Sequence, residues 1–211
     1  MKKVLTTSRV IKKAIFDENH LTLDLRWLDF LSICGICPII LPPSLPHAKE
    51  IIKSMDYDGI LLTGGGDISE LGGLDKGRDQ VEEHLIKLAA SKNIPIIGVC
   101  RGMQKIQAYF GERSFDKIPD NISKKQKARF DVSGIKVMKG ERSGDRTINS
   151  YHNFGVRKNS LKDFKTFAVS EKGVVKGIKH KNKNMIGIMW HPEREKPFKQ
   201  IDIKLFKGFY E

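Results

Sequence analysis

Cysteine is scarce in this chain, with three residues in 211. An odd and low count excludes the disulfide frameworks of small secreted domains and points to a reducing, cytoplasmic setting. No stretch approaches the roughly 18 apolar residues of a membrane helix. The opening Met1-Lys2-Lys3-Val4-Leu5 is basic but lacks the apolar segment of a secretory signal, and it reads as a first strand. No membrane partner is expected. Aromatic residues make up 8% and form no stacking cluster. That argues against the rival reading of a nucleic-acid-binding protein, which the pI of about 9.6 would otherwise invite. Cys34 and Cys37 form a C-x-x-C with no second pair to complete a zinc site, and they follow a helix where a redox pair would open one. They are read as packing residues. The segment at 140–146, GERSGDR, has neither phosphate-loop nor dinucleotide-turn spacing and reads as a loop. No metal and no cofactor is expected.

What the chain does carry is positive charge, concentrated in one half. Residues 1–100 hold 12 Lys and Arg against 13 Asp and Glu, while residues 101–211 hold 26 against 12. Most lysines of such a surface are simply solvated. The asymmetry still points to a face meeting an anion such as a phosphorylated small molecule.

Apolar patterning predicts one domain over residues 1–211, an α/β fold with a mostly parallel central sheet flanked by helices. Strands are expected at 4–7, 38–43, 59–63 and 94–99. Leu21, Leu25, Leu28 and Leu31 recur at helical spacing, and further helices are expected at 46–53, 78–91 and 101–110. The second half differs. Short β runs at 129–138, 147–150, 167–170, 174–180 and 185–190 predict a smaller antiparallel element, with a polar loop at 121–127 and a closing helix at 199–209.

One segment is chemically pointed. Gly98-Val99-Cys100-Arg101-Gly102 follows the apolar run 94–97 and opens a helix. G-x-C-x-G has the form of a nucleophile elbow: the flanking glycines relieve a tight strand-to-helix turn, and the helix aims free N–H groups at the sulfur. A thiolate nucleophile needs a base and a group to orient it. His191 and Glu193 follow the strand at 185–190, two residues apart around Pro192, so an extended backbone puts both on one side. Because the acid follows the histidine, the α/β-hydrolase order is excluded. Gly64-Gly65-Gly66, at the end of another strand, lets backbone approach a ligand. A glycine amide there and the amide of Arg101 are natural donors to an oxyanion. Arg9, at the end of the first strand, sits at the same sheet edge.

Together LTGGGDI, DKGRDQVEEHLIKLAASKNIPIIGVCRGMQ, INSYHN and MWHPE resemble the class I glutamine amidotransferase-like (flavodoxin-like) fold, in its γ-glutamyl hydrolase branch. The resemblance runs over nearly the whole chain. It implies a Cys100, His191 and Glu193 triad, oxyanion-hole amides at Gly65 and Arg101, and a γ-glutamyl substrate contacted by Gly64, Gly66, Gln104, Asn149, Ser150, Tyr151 and His152. Arg78, Asp79 and Glu82 match the branch's R-D-x-x-E and are read as structural or pocket-rim residues. Asn153-Phe154 depart from the branch, implying a specialised leaving-group side. The basic second half suits a phosphorylated or nucleotide-linked leaving group. A γ-glutamyl-GABA-type hydrolase, and an amidotransferase subunit passing ammonia to a synthetase, are the alternatives within the fold.

Overall fold

The computed structural model describes residues 1–118 and 125–211, and of Lys13 and Val137 only the backbone. In chain order the elements are β1 (Lys2–Thr7), β2 (Arg9–Lys13), β3 (Glu18–Thr22), α1 (Arg26–Ile33), β4 (Ile36–Leu41), α2 (Leu45–Ser54), β5 (Gly59–Leu62), α3 (Lys76–Lys92), β6 (Ile96–Val99) and α4 (Arg101–Tyr109). There follow β7 (Phe115–Lys117), β8 (Gln126–Phe130), β9 (Gly144–Ile148), β10 (Phe154–Val156), β11 (Phe164–Ser170), β12 (Val175–His180), β13 (Met185–Ile188) and α5 (Gln200–Tyr210).

Among the described residues, nine strands form one mixed sheet in the order β4-β1-β5-β6-β13-β12-β11-β8-β9. The first five are mutually parallel, with Ile186 opposite Ile97 and Leu61 opposite Ile97 on its other side. The antiparallel strands β12, β11, β8 and β9 are hydrogen-bonded onto that parallel edge through β13. The α/β class with a parallel core therefore stands, and its antiparallel part extends the same sheet.

The parallel strands are apolar on both faces because both faces are covered. Val4, Leu61, Ile97, Val99, Ile186 and Ile188 pack on one side with Trp27, Phe30 and Leu31 of α1 and Leu205 and Phe206 of α5. Their chain neighbours Leu5, Ile60, Leu62, Ile96 and Met185 pack on the other with Ala48 of α2, Val81 and Leu85 of α3, and Met103 and Ile106 of α4. The closing helix is pinned where the Tyr210 hydroxyl donates to the Ile60 carbonyl at 2.7 Å.

Two expectations need correcting. The leucine stripe is not the buried face of α1: Leu21 lies in β3, Leu25 and Leu28 are exposed, and Trp27, Phe30 and Leu31 do the packing. Larger apolar side chains at i, i+3 and i+4 outweigh a longer but thinner leucine repeat. The expected strand at 129–138 divides into β8 and a 3₁₀ turn at Lys136–Met138. The loop expected at 121–127 lies largely outside the described residues, and Gln126 and Lys127 open β8.

Candidate active site

The carboxyl ends of β5, β6 and β13 bring the predicted residues to one sheet edge. Cys100 follows β6 and opens α4 with φ +53° and ψ −103°, outside the regions open to a residue with a side chain. Its N–H donates to the Ile188 carbonyl at 2.7 Å, which holds the turn against β13. The flanking glycines are steric necessities. A Cβ on Gly98 would lie 2.6 Å from the Gly102 backbone, and one on Gly102 would lie 2.3 Å from the Leu62 carbonyl oxygen.

Beyond β13, His191 and Glu193 are both almost wholly buried. Nδ1 of His191 lies 2.6 Å from Oε1 of Glu193, which fixes Nδ1 as the protonated nitrogen of a neutral ring and leaves Nε2 for chemistry. Burial pulls the His191 pKa down, but the negative charges of Cys100 and Glu193 outweigh it and push it up to about 9. The ring is thus favoured as the imidazolium at neutral pH. Gly64 completes the contact, because a Cβ there would stand 2.5 Å from Cε1 of His191 and 3.5 Å from Cβ of Cys100.

The segment 149–152 turns out to be a brace around this pair. Asn149 accepts from the His191 N–H at 2.7 Å and donates to the His191 carbonyl at 2.8 Å and to Glu195 at 2.9 Å. Tyr151 meets the His191 ring edge-on at 5.4 Å and carries the Arg194 guanidinium over its face at 4.4 Å. His152 Nδ1 donates to the Phe154 carbonyl at 2.8 Å, and Gln104 Nε2 donates to the same oxygen at 2.9 Å. The other nitrogen of His152 accepts from Lys176 at 2.6 Å, and Lys176 also donates to Ser150 Oγ at 3.1 Å. Backbone and side chains of residues 149–152 are expected around the glutamyl group; in this structure the polar side-chain atoms of Asn149 and His152 are hydrogen-bonded within the protein.

Lys176 itself escaped notice in the sequence. It is fully buried on β12, and burial lowers its pKa to about 8 against the supporting charge of Cys100. The same burial, helped by the Lys176 cation, drops His152 to about 3, so that ring is neutral. The available signal was parity: Lys176 shares a strand face with Ile178, in a strand that is buried on both faces. Neighbouring lysines at 179, 181 and 183 disguised it as surface charge.

On the open side, Arg9 begins the β2–β3 hairpin and lies over Gly65, whose missing Cβ would be 3.1 Å from its Nη1. Arg9, Thr22, Asp24, Gly64, His191 and Arg194 are among the residues lining a narrow cleft of about 30 Å³. A larger cavity of about 410 Å³ is lined by Trp190, β9 and the start of α5, and holds none of the predicted residues. Cys34 is packed in the core, its thiol pushed up to about 12 by burial, and Cys37 is exposed. Among the described residues, no group of three or more His, Cys, Asp or Glu is placed to hold a metal ion, and no helix is long and apolar enough to cross a membrane.

The peptidase C26 family model matches residues 5–193. The chain belongs to that family. It is one of the class I glutamine amidotransferase-like hydrolases that act on γ-glutamyl bonds. Among curated relatives it is 29% identical over 208 residues to the γ-glutamyl-CDP-amidate hydrolase of Campylobacter jejuni, covering 93% of this chain and 92% of that one. It is 31% identical over 204 residues to the glutamine amidotransferase-like protein YvdE of Lactococcus lactis, covering 87% and 85%. A GMP synthase component from Thermoplasma acidophilum shares the fold, with a TM-score of 0.72 at 24% identity over 100% of this chain and 92% of that one.

Proposed function

We propose that this C26 protein hydrolyses a γ-glutamyl amide through a thioester on Cys100. The observation that carries the reading is Cys100 at an elbow turn beside an imidazole whose far nitrogen is held by Glu193. The thiolate attacks the γ-carbonyl carbon, and the oxyanion rests on the amides of Gly65 and Arg101. His191 gives its Nε2 proton to the departing nitrogen as the C–N bond breaks. It then takes a proton from water as that water attacks the thioester, releasing glutamate and restoring the pair. Gly66, Ser150 and the backbone of 149–152 border the glutamyl group.

The leaving group we infer is nucleotide-linked, of the kind named for the Campylobacter jejuni relative, whose product would be cytidine diphosphoramidate for capsule modification. Supporting it are identity over nearly the full length of both chains, the basic second half, and Arg9 over the glycine loop. Arginine suits a diphosphate through its paired donors. The test is a panel comprising glutamine, γ-glutamyl-GABA and γ-glutamyl-CDP-amidate, with product analysis of wild type and Cys100→Ala. Glutamate release from the nucleotide substrate, highest in kcat/KM and absent in the variant, is expected. Preferential glutamine hydrolysis that rises with a partner synthetase would favour the amidotransferase reading.

A further inference from the structure

Arg78 is buried in the first turn of α3, directly behind the glycine loop. Its guanidinium takes three consecutive carbonyls: Thr63 at 2.6 Å, Gly64 at 3.2 Å and Gly65 at 2.9 Å. In a trans peptide the C=O and the following N–H point in opposite directions. Gathering the 63, 64 and 65 carbonyls on one cation therefore turns the N–H groups of Gly64, Gly65 and Gly66 away from it. Positive φ at Gly65 (+97°) and Gly66 (+73°) lets the loop take that shape. None of the three N–H groups donates to a protein acceptor among the described residues. Gly64 meanwhile abuts His191 and Cys100.

The guanidinium is itself fixed. Nε of Arg78 donates to Glu82 at 2.8 Å, and the same carboxylate accepts from the Arg101 side chain and from Thr7 at 3.3 Å. Arg101 is the residue after Cys100, and a second carboxylate, Asp79, also accepts from it. One carboxylate thus ties the support of the glycine loop to the residue that supplies the other amide.

We propose that Arg78 is a positioning residue that presets the oxyanion hole: by holding the 63–65 carbonyls it aims the Gly65 N–H into the cleft, and Glu82 keeps that donor in register with the Arg101 amide. This rests on the reading of those two amides as the oxyanion donors. It makes the pocket-rim arginine of the R-D-x-x-E segment part of the geometry of catalysis, without contact to substrate.

The test compares wild type, Arg78→Gln and Arg78→Lys on the best substrate of the panel, with iodoacetamide alkylation of Cys100 measured in parallel. Alkylation needs the thiolate but no oxyanion. In Arg78→Gln, kcat is expected to fall by roughly 10²–10³-fold, the scale of a lost oxyanion donor, with KM within about threefold and the alkylation rate unchanged. Lysine keeps the charge but cannot span three carbonyls, and falls between. Turnover within threefold of wild type in folded Arg78→Gln overturns the proposal. So does a loss of alkylation matching the loss of turnover, and so does failure of both variants to fold, which would assign Arg78 to stability alone. A wild type inactive on every panel member would instead overturn the proposed function.

Discussion

On the α3–α4 side of Cys100 every buried cation meets a carboxylate, whereas on the β12 side Lys176 meets none among the described residues. Arg78, Arg101 and Lys105 are paired with Glu70, Asp79, Glu82 and Glu83, three cations against four anions. Lys176 has only a serine hydroxyl and a neutral imidazole. The paired cluster behaves as scaffold, since its charges answer one another and fix a loop and a helix. The unpaired cation instead couples electrostatically to Cys100, which supports its charge against burial. The same residue chemistry, buried to the same degree, serves architecture where it is balanced and, under the proposed function, the Cys100 nucleophile where it is not.

The widest gap between the two clusters should appear in stability. Glu82→Gln removes a carboxylate shared by two buried guanidiniums, leaving Arg101 with Asp79 alone and Arg78 with no ion-pair partner among the described residues, a change that costs about 3–5 kcal/mol. Denaturant unfolding at neutral pH measures it, and a loss below about 1 kcal/mol would break the comparison. Lys176→Met removes a buried charge that meets no carboxylate but also takes the donor from Ser150 Oγ and His152 Nε2, so stability is expected to stay within about 2 kcal/mol of wild type. Its cost falls on reactivity instead. Alkylation of Cys100 at pH 7 should slow by about tenfold as the nearby cation goes. A destabilised variant with unchanged alkylation would place Lys176 in the scaffold class.

The sequence was most readable where one residue type was the only solution. Gly98 and Gly102 stand where any Cβ would strike backbone, which is the steric reason for the tight turn that G-x-C-x-G marked. His191 and Glu193 were visible as a pair around a proline, but the extended backbone expected there is corrected: Pro192–Arg194 is a 3₁₀ turn, and it is this turn that brings the Glu193 carboxylate to Nδ1 of His191. The roles of Arg78, Asn149 and Lys176 were not visible, because each depends on a long-range partner: the 63–65 carbonyls, the His191 backbone, and the Ser150 and His152 side chains. The β2–β3 hairpin was missed for a different reason. Its strands are exposed on both sides, so they lack the alternation that burial imposes on sequence.

A smaller effect sharpens the role of the sulfur's charge. The His191 pKa stands at about 9, above the ordinary 6.5, through Cys100 and Glu193 acting against burial. A pKa raised by folding means stability that is complete below pH 6.5 and lost as pH climbs through about 9. In Cys100→Ala only Glu193 opposes burial, so the titration midpoint should fall from about 9 toward the ordinary imidazole range, and the loss of stability should begin at correspondingly lower pH. Imidazole NMR titration of the two proteins reads the midpoint directly, and thermal unfolding between pH 6 and 10 reads its consequence. A midpoint that does not move would mean that Glu193 alone sets the charge of His191, and that the Cys100 thiolate contributes nothing to the resting pair.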